Sequence, residues 1–396
     1  MVYARDRGQR WGIRAARLFD GKVMHRGMPL AVIQGDRIVG VDLSGTRPSV
    51  ELPLVALGDV TLLPGLIDAH VHLAFDPCGD VAEHMQADDQ ATLMARIRRH
   101  ALQALRAGIT TVRDLGDRDY LALAVRDEYA ATGATAPEIL ASGPPVTRTG
   151  GHCWFLGGEA DEPAELRAAV VERAERGVDV IKVMATGGGI TPGSAAHESQ
   201  YNLDQLRVIV EAAHSVGKPV TAHAHGGAGI ADAVRAGVDG IEHGTFLTAD
   251  GAAADWATVQ MMAEAGVYVG VTAGRLPHGA PLSSRVAAAR ALLPRMHREG
   301  VRLVCSSDAG VVAEKPHNCL PRGLGVFKAY AELSPAEVIA SVTSLAAQSC
   351  GIGDRKGMIA AGYEADLLAV VGDPEKDLQA LGAVSAVFRA GQRIPS

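Results

Sequence analysis

Two histidines one residue apart, His70 and His72, close an apolar run in Asp68-Ala69-His70-Val71-His72. Side chains alternate across a strand, so a strand here sends both imidazoles to one face. Later apolar runs carry or end on other ligand-type residues. Lys182 lies within Val180–Met184, His223 within Thr221–Gly226, His243 within Ile241–Gly244 and Asp308 within Ser307–Gly310. Nitrogen and oxygen donors of this kind, gathered with one open position, suit a catalytic divalent ion such as zinc. Such an ion activates water for hydrolysis.

These residues meet only if their strands share one rim. A repeated junction supplies that arrangement: an Ala/Glu/Arg-rich helical stretch ends in Gly, and a β-branched strand follows at once. Six copies recur, among them Arg106-Ala107-Gly108-Ile109-Thr110 and Ala236-Gly237-Val238-Asp239-Gly240. Gly suits the left-handed position that ends a helix. Short apolar strands after it fit a parallel sheet covered on both faces. Eight strands are expected, at Thr61–Leu73, Thr110–Gly116, Glu138–Thr147, Val180–Thr186, Pro219–Gly226, Gly240–Gly244, Val267–Ala273 and Arg302–Gly310. Helical stretches such as Asp161–Arg176 and Leu203–Val216 separate them. The expected class is α/β, a (β/α)8 TIM barrel whose active site sits at the C-terminal ends of its strands. An open doubly wound sheet competes, but no Gly-x-Gly-x-x-Gly follows the first strand. Both chain ends instead read as antiparallel hairpins. The expected division is a small β-sandwich domain from residues 1–60 and 359–396, with the barrel inserted as residues 61–358.

Composition narrows the partners. The 396 residues include 38 basic and 45 acidic side chains, for a net charge of −7, which disfavours nucleic acid and anionic membranes. With 47% apolar and 21% charged residues, the chain has the makings of a large core and is not disordered. No apolar run reaches the roughly 18 residues of a membrane span. Five Cys and no signal peptide point to a cytoplasmic location. The expected partner is a small-molecule substrate, and a homo-oligomer is compatible with all of this.

The motifs resemble the amidohydrolase superfamily of metal-dependent hydrolases. The similar pieces run in order along nearly the whole chain: Leu63–Leu73, Thr110–Gly116, Ile181–Gly188, Thr221–Gly226, Ile241–Gly244, Ser307–Gly310 and Gly362–Leu368. Within the superfamily the chain looks like the imidazolonepropionase-like and Xaa-Pro dipeptidase-like branch. The resemblance implies that His70, His72 and Asp308 hold a buried metal, and that His223 and His243 hold an outer one. It implies a carboxylated Lys182 bridging the two. Zn is the expected metal, with Mn, Fe or Co accepted by the same donors. The implied chemistry is attack of a bridging hydroxide on an amide-like carbonyl, with Asp308 moving the proton to the leaving nitrogen. A dipeptide or an N-acyl amino acid is the preferred substrate class. A deaminase or a cyclic imide or imidazolone hydrolase is the alternative. A metal-free scaffold would lack ligands, and all six are present.

Around that centre, His152 and His225 are candidates to stabilise an oxyanion or contact substrate, and both are also compatible with loop packing. Arg148 and Arg275 are candidates to grip a substrate carboxylate, or else exposed loop residues. Arg113 and Asp114 read as a structural ion pair, and the Gly-rich loop from Gly187 to Ser194 as a wall of the pocket. Cys153 and Cys305 read as small buried apolar residues. His100, His214 and His297 read as surface residues of helices.

Overall fold

Strands without a polar face need cover on both sides, and this chain supplies it by alternating strand with helix. The computed structural model describes residues 8–45, 52–276 and 283–395. Eight parallel strands follow in order: β1 (Leu66–Val71), β2 (Ile109–Asp114), β3 (Glu138–Ala141), β4 (Ile181–Met184), β5 (Val220–Gly226), β6 (Gly240–Leu247), β7 (Tyr268–Val271) and β8 (Arg302–Cys305). Ladders join β1 to β2 and β2 to β3, then β4 through β8 in sequence. Parallel bridges Val146–Val183 and Val71–Ala309 close the two remaining gaps. The sheet is therefore a closed (β/α)8 barrel, and the open doubly wound alternative is excluded. All six junction glycines take positive φ; Gly177, at 83°, caps the helix Pro163–Arg176 and turns the chain toward β4.

The expected single strand Thr61–Leu73 is two strands. Val60–Pro64 pairs antiparallel with Leu367–Val371 in a six-stranded sheet, and β1 begins only after Gly65. A Cβ on Gly65 would lie 2.2 Å from Thr110 Oγ1, so the chain crosses from one sheet to the other where only Gly fits. The six-stranded sheet also holds Arg17–Phe19 and Val384–Arg389, from opposite ends of the chain. It packs on a four-stranded sheet containing Arg10–Arg14 and Leu30–Gln34. Trp11, Ile13, Ile33, Leu62, Leu367 and Phe388 fill the space between, giving a β-sandwich core distinct from that of the barrel.

Arg355, Lys356 and Arg389 interleave with Glu138, Glu364 and Asp366 beneath the barrel. Glu138 opens β3, so this network sits at the N-terminal end of the strands, opposite the ligand-type residues. Among the described residues, no helix is long and apolar enough to cross a membrane.

The expectation for His100 is corrected. It is buried, on the inner face of the helix Gln90–Arg106 with Ile97, Ala101 and Ala104, and its ring stacks on buried His317 at 3.9 Å.

Candidate metal centre

The barrel gathers the ligand-type residues into two groups. In the first, Nε2 of His70 and Nε2 of His72 each lie 3.5 Å from Asp308 Oδ1. Asp308 follows β8 and is fixed to β1 by its N–H, which donates to the His70 carbonyl at 2.8 Å. The second group is His223, His225 and His243, from β5 and β6. Within each group the candidate donor atoms lie within 4.8 Å of one another. The two groups adjoin, since the His70 and His243 rings are 5.3 Å apart. Asp308 and His243 have φ of 58° and 71°, a left-handed conformation that side chains other than Gly seldom adopt. Strain of this kind persists where the surrounding structure over-determines it, as at functional sites.

Each imidazole is oriented by its other nitrogen. His70 Nδ1 donates to Glu242 Oε2 at 2.9 Å, and His72 Nδ1 to the Gly116 carbonyl at 3.1 Å. His223 Nε2 donates to the Gly187 carbonyl at 3.0 Å. A carbonyl or carboxylate only accepts, so these three nitrogens carry the proton. The opposite nitrogen of each ring then offers a lone pair to the centre. His243 Nδ1 meets Thr272 Oγ1 at 3.3 Å, and His225 Nδ1 meets Thr245 Oγ1 at 2.8 Å. Burial, aided by the nearby Lys182 and opposed by the Asp308 carboxylate, lowers the pKa of His70 and His225 to about 4. It sends those of His223 and His243 well below the usual histidine range. Neutral rings are the form that binds metal.

Lys182 lies on β4 with 1% of its surface exposed, and its Nζ has no hydrogen-bond partner. An unpaired buried ammonium is costly. Burial lowers its pKa to about 8, within reach of a neutral amine at physiological pH. An orphaned amine among imidazoles and a carboxylate fits a lysine completed by carboxylation and metal, so the donor set fits a metal centre.

The carboxylate behind His70 escaped the sequence reading. Glu242 is fully enclosed in the barrel and also accepts from Thr221 Oγ1 at 2.8 Å and Arg113 Nη2 at 3.0 Å. Burial opposes its ionisation, but His70 and Arg113 outweigh that and hold it well below the usual carboxylate range. Arg113 therefore pairs with Glu242 and not with Asp114, contrary to the expected ion pair. Neighbours on a strand point to opposite faces, and Asp114 instead accepts from the backbone N–H groups of Leu73 and Gly116. Lys315 was also missed. Its Nζ lies 3.5 Å from Asp308 Oδ2 and donates to the Thr272 carbonyl. Burial opposes ionisation of Asp308, but Lys315, His70 and His72 keep its pKa very low.

His152 is buried beside the second group, with its ring 4.6 Å from that of His223 and Nδ1 3.1 Å from Thr191 Oγ1. Gly188, in the Gly-rich loop, packs directly on this ring. Arg148 is exposed, and its guanidinium has no hydrogen-bond partner among the described residues. Arg275 is half-buried, 3.8 Å from Glu314 Oε2, with a buried Nε that lacks a partner. Cys153 and Cys305 are buried and free, and burial raises both thiol pKa values.

A closed barrel whose C-terminal rim gathers one His–His–Asp group and one group of three histidines has the donor set of a metal-dependent hydrolase. Residues 61–394 match the amidohydrolase family, and the chain belongs to that family, whose members hydrolyse amide-like C–N bonds. It is 28% identical over 379 residues to ochratoxinase of Aspergillus niger, covering 84% of this chain and 75% of that protein. Its structure is similar to that of a Xaa-Pro dipeptidase with methionine bound in the active site. The TM-score there is 0.85, with 28% identity and coverage of 98% of this chain and 100% of the other. A prolidase complexed with N-methylphosphonate-L-proline gives a TM-score of 0.83 at 26% identity, over 98% and 99% of the two chains.

Proposed function

We propose that the chain is a binuclear amidohydrolase that cleaves an amide-like C–N bond in a small substrate with a free carboxylate, a dipeptide or an N-acyl amino acid. The observation that carries this reading is Lys182, a buried amine without a partner beside two adjoining groups of ligand-type side chains. In this reading His70, His72 and Asp308 would hold one dication and His223 and His243 the other, and Lys182, once carboxylated, would supply a further oxygen donor. When bound, the metals supply Lewis acidity, lowering the pKa of water and polarising a carbonyl.

The remaining work falls to the protein. Asp308, held as a carboxylate, takes the proton from the attacking water and returns it to the leaving nitrogen. His152, buried beside His223, donates a hydrogen bond to the carbonyl oxygen as negative charge develops. His225 contacts the substrate from β5. Arg275, half-buried and partnered only at 3.8 Å, grips the substrate carboxylate, with exposed Arg148 as a second contact. Similarity to proteins named Xaa-Pro dipeptidase and prolidase supports a dipeptide-like substrate.

The test is a screen of dipeptides and N-acyl amino acids with protein reconstituted with Zn or Mn. Release of an amino acid supports the proposal. Release of ammonia from amino-heterocycles, with every dipeptide and N-acyl amino acid left intact, would overturn it in favour of a deaminase.

A further inference from the structure

A cavity of 660 Å³ opens in the outer helical layer, between the helix Gln90–Arg106 and the start of the helix Leu320–Ala331. Three arginines line it: Arg99, Arg106 and Arg322. Gln103 and Asn318 add neutral polar groups, and no acidic or aromatic residue is among the described residues of its wall. Arg99, Gln103 and Arg106 are spaced by four and three residues, so they share one helix face. Arg322 stands on the opposite wall, in the first turn of its helix, where the backbone dipole is positive.

Among the described residues, two of the three charges lack a paired carboxylate, while Arg99 shares the field of Asp76. On the same helix Arg96 pairs with Asp88 and Arg98 with Glu128. Neither Arg106 nor Arg322 has a carboxylate within ion-pair distance among the described residues. In a chain of net charge −7, three cations converging on one concavity, two of them unpaired, make a local positive field. Guanidinium forks match the paired oxygens of carboxylate and phosphate. The volume lies within the range of roughly 300–1,000 Å³ typical of small-molecule sites. The lack of an aromatic wall disfavours a ligand held through a flat ring.

We propose that this cavity binds a small multivalent oxyanion of the phosphate or dicarboxylate type. The site is separate from the metal centre but reaches its back. Arg99 Nη2 donates to His100 Nε2 at 3.3 Å, His100 stacks on His317, and His317 Nε2 donates to the His72 carbonyl at 3.0 Å.

The experiment is calorimetric titration of the metal-loaded full chain with inorganic phosphate and, separately, with glutarate, at ionic strength held constant with chloride. The comparison is the double variant Arg106→Gln, Arg322→Gln, which leaves Arg99 and its contact to His100 intact. Saturable binding is expected, weakened at least about tenfold in the double variant by loss of two charge-assisted contacts. Tighter phosphate identifies a phosphorylated ligand and tighter glutarate a dicarboxylate; both agree with the proposal. Absence of saturable binding of both anions would overturn it. So would an unchanged Kd in the double variant, which would put the anion at the metal centre.

Discussion

Glu242 Oε2 lies 2.9 Å from Nδ1 of His70, joining the interior of β6 to a ligand-type side chain of β1. The carboxylate fixes the imidazole tautomer and its direction, so that Nε2 faces Asp308. Partners of this kind typically govern metal affinity by about 10–100-fold. Glu242→Gln keeps the shape but removes the charge that Arg113 and His70 share. The variant should fold and bind metal about 10–100-fold more weakly. Metal retained after dialysis against graded chelator measures this, and an unchanged retention curve would show that Glu242 only packs the barrel.

Lys182→Ala removes the buried, unpartnered amine that the proposed centre uses as its bridge. Loss of a ligand should cost more than loss of its outer partner. We expect metal content to fall from about two ions per chain to at most one, and kcat/KM to fall by more than about 100-fold. Elemental analysis of the purified variant, with rates on the best substrate, reads both. Full metal content with full activity would refute the bridged centre.

The barrel was legible because its signals are local. A glycine that ends a helix and a β-branched run after it require no knowledge of distant residues. His70 and His72 were legible for the same reason, since a period of two fixes their common face. Glu242 was quoted within its motif but given no role, because its partners Arg113 and His70 arrive from β2 and β1 only when the barrel closes. Adjacency in sequence misled at Arg113 and Asp114, where the strand turns neighbours apart. His100 was legible in principle: Ile97, His100, Ala101 and Ala104 repeat at helical spacing along the buried face. Lys315 lies in an irregular loop after β8, and nothing periodic marks it.

Gly188 explains why the loop after β4 must be glycine at that point. A Cβ there would lie 2.2 Å from His152 Nε2. Gly188→Ala should displace the His152 imidazole without replacing any side chain of the two proposed metal-holding groups. Displacement by about 1 Å at a reacting centre costs on the order of 100-fold in rate. We expect kcat to fall by that order with metal content unchanged. A variant with normal kcat would remove His152 from the chemistry.

Acid stability should depend on the network beneath the barrel. Burial opposes ionisation of Glu138, but the Arg355 hydrogen bond and the Lys356 charge outweigh it and bring the pKa down from 4.5 to about 2. A carboxyl whose pKa is depressed on folding stabilises the native state above its unfolded pKa. That contribution is lost as pH falls from about 4.5 through about 2. At pH 7 it amounts to about 3 kcal/mol, an order-of-magnitude figure for a group of this burial. Glu138→Gln should therefore destabilise the protein by about 3 kcal/mol at pH 7, in the range for breaking a buried ion pair. By pH 3 the wild-type carboxyl has lost much of its advantage, so the difference should shrink to about half or less. Urea unfolding of both proteins at the two pH values measures it. A gap that stays constant between pH 7 and pH 3 would mean that Glu138 acts through shape and not through charge.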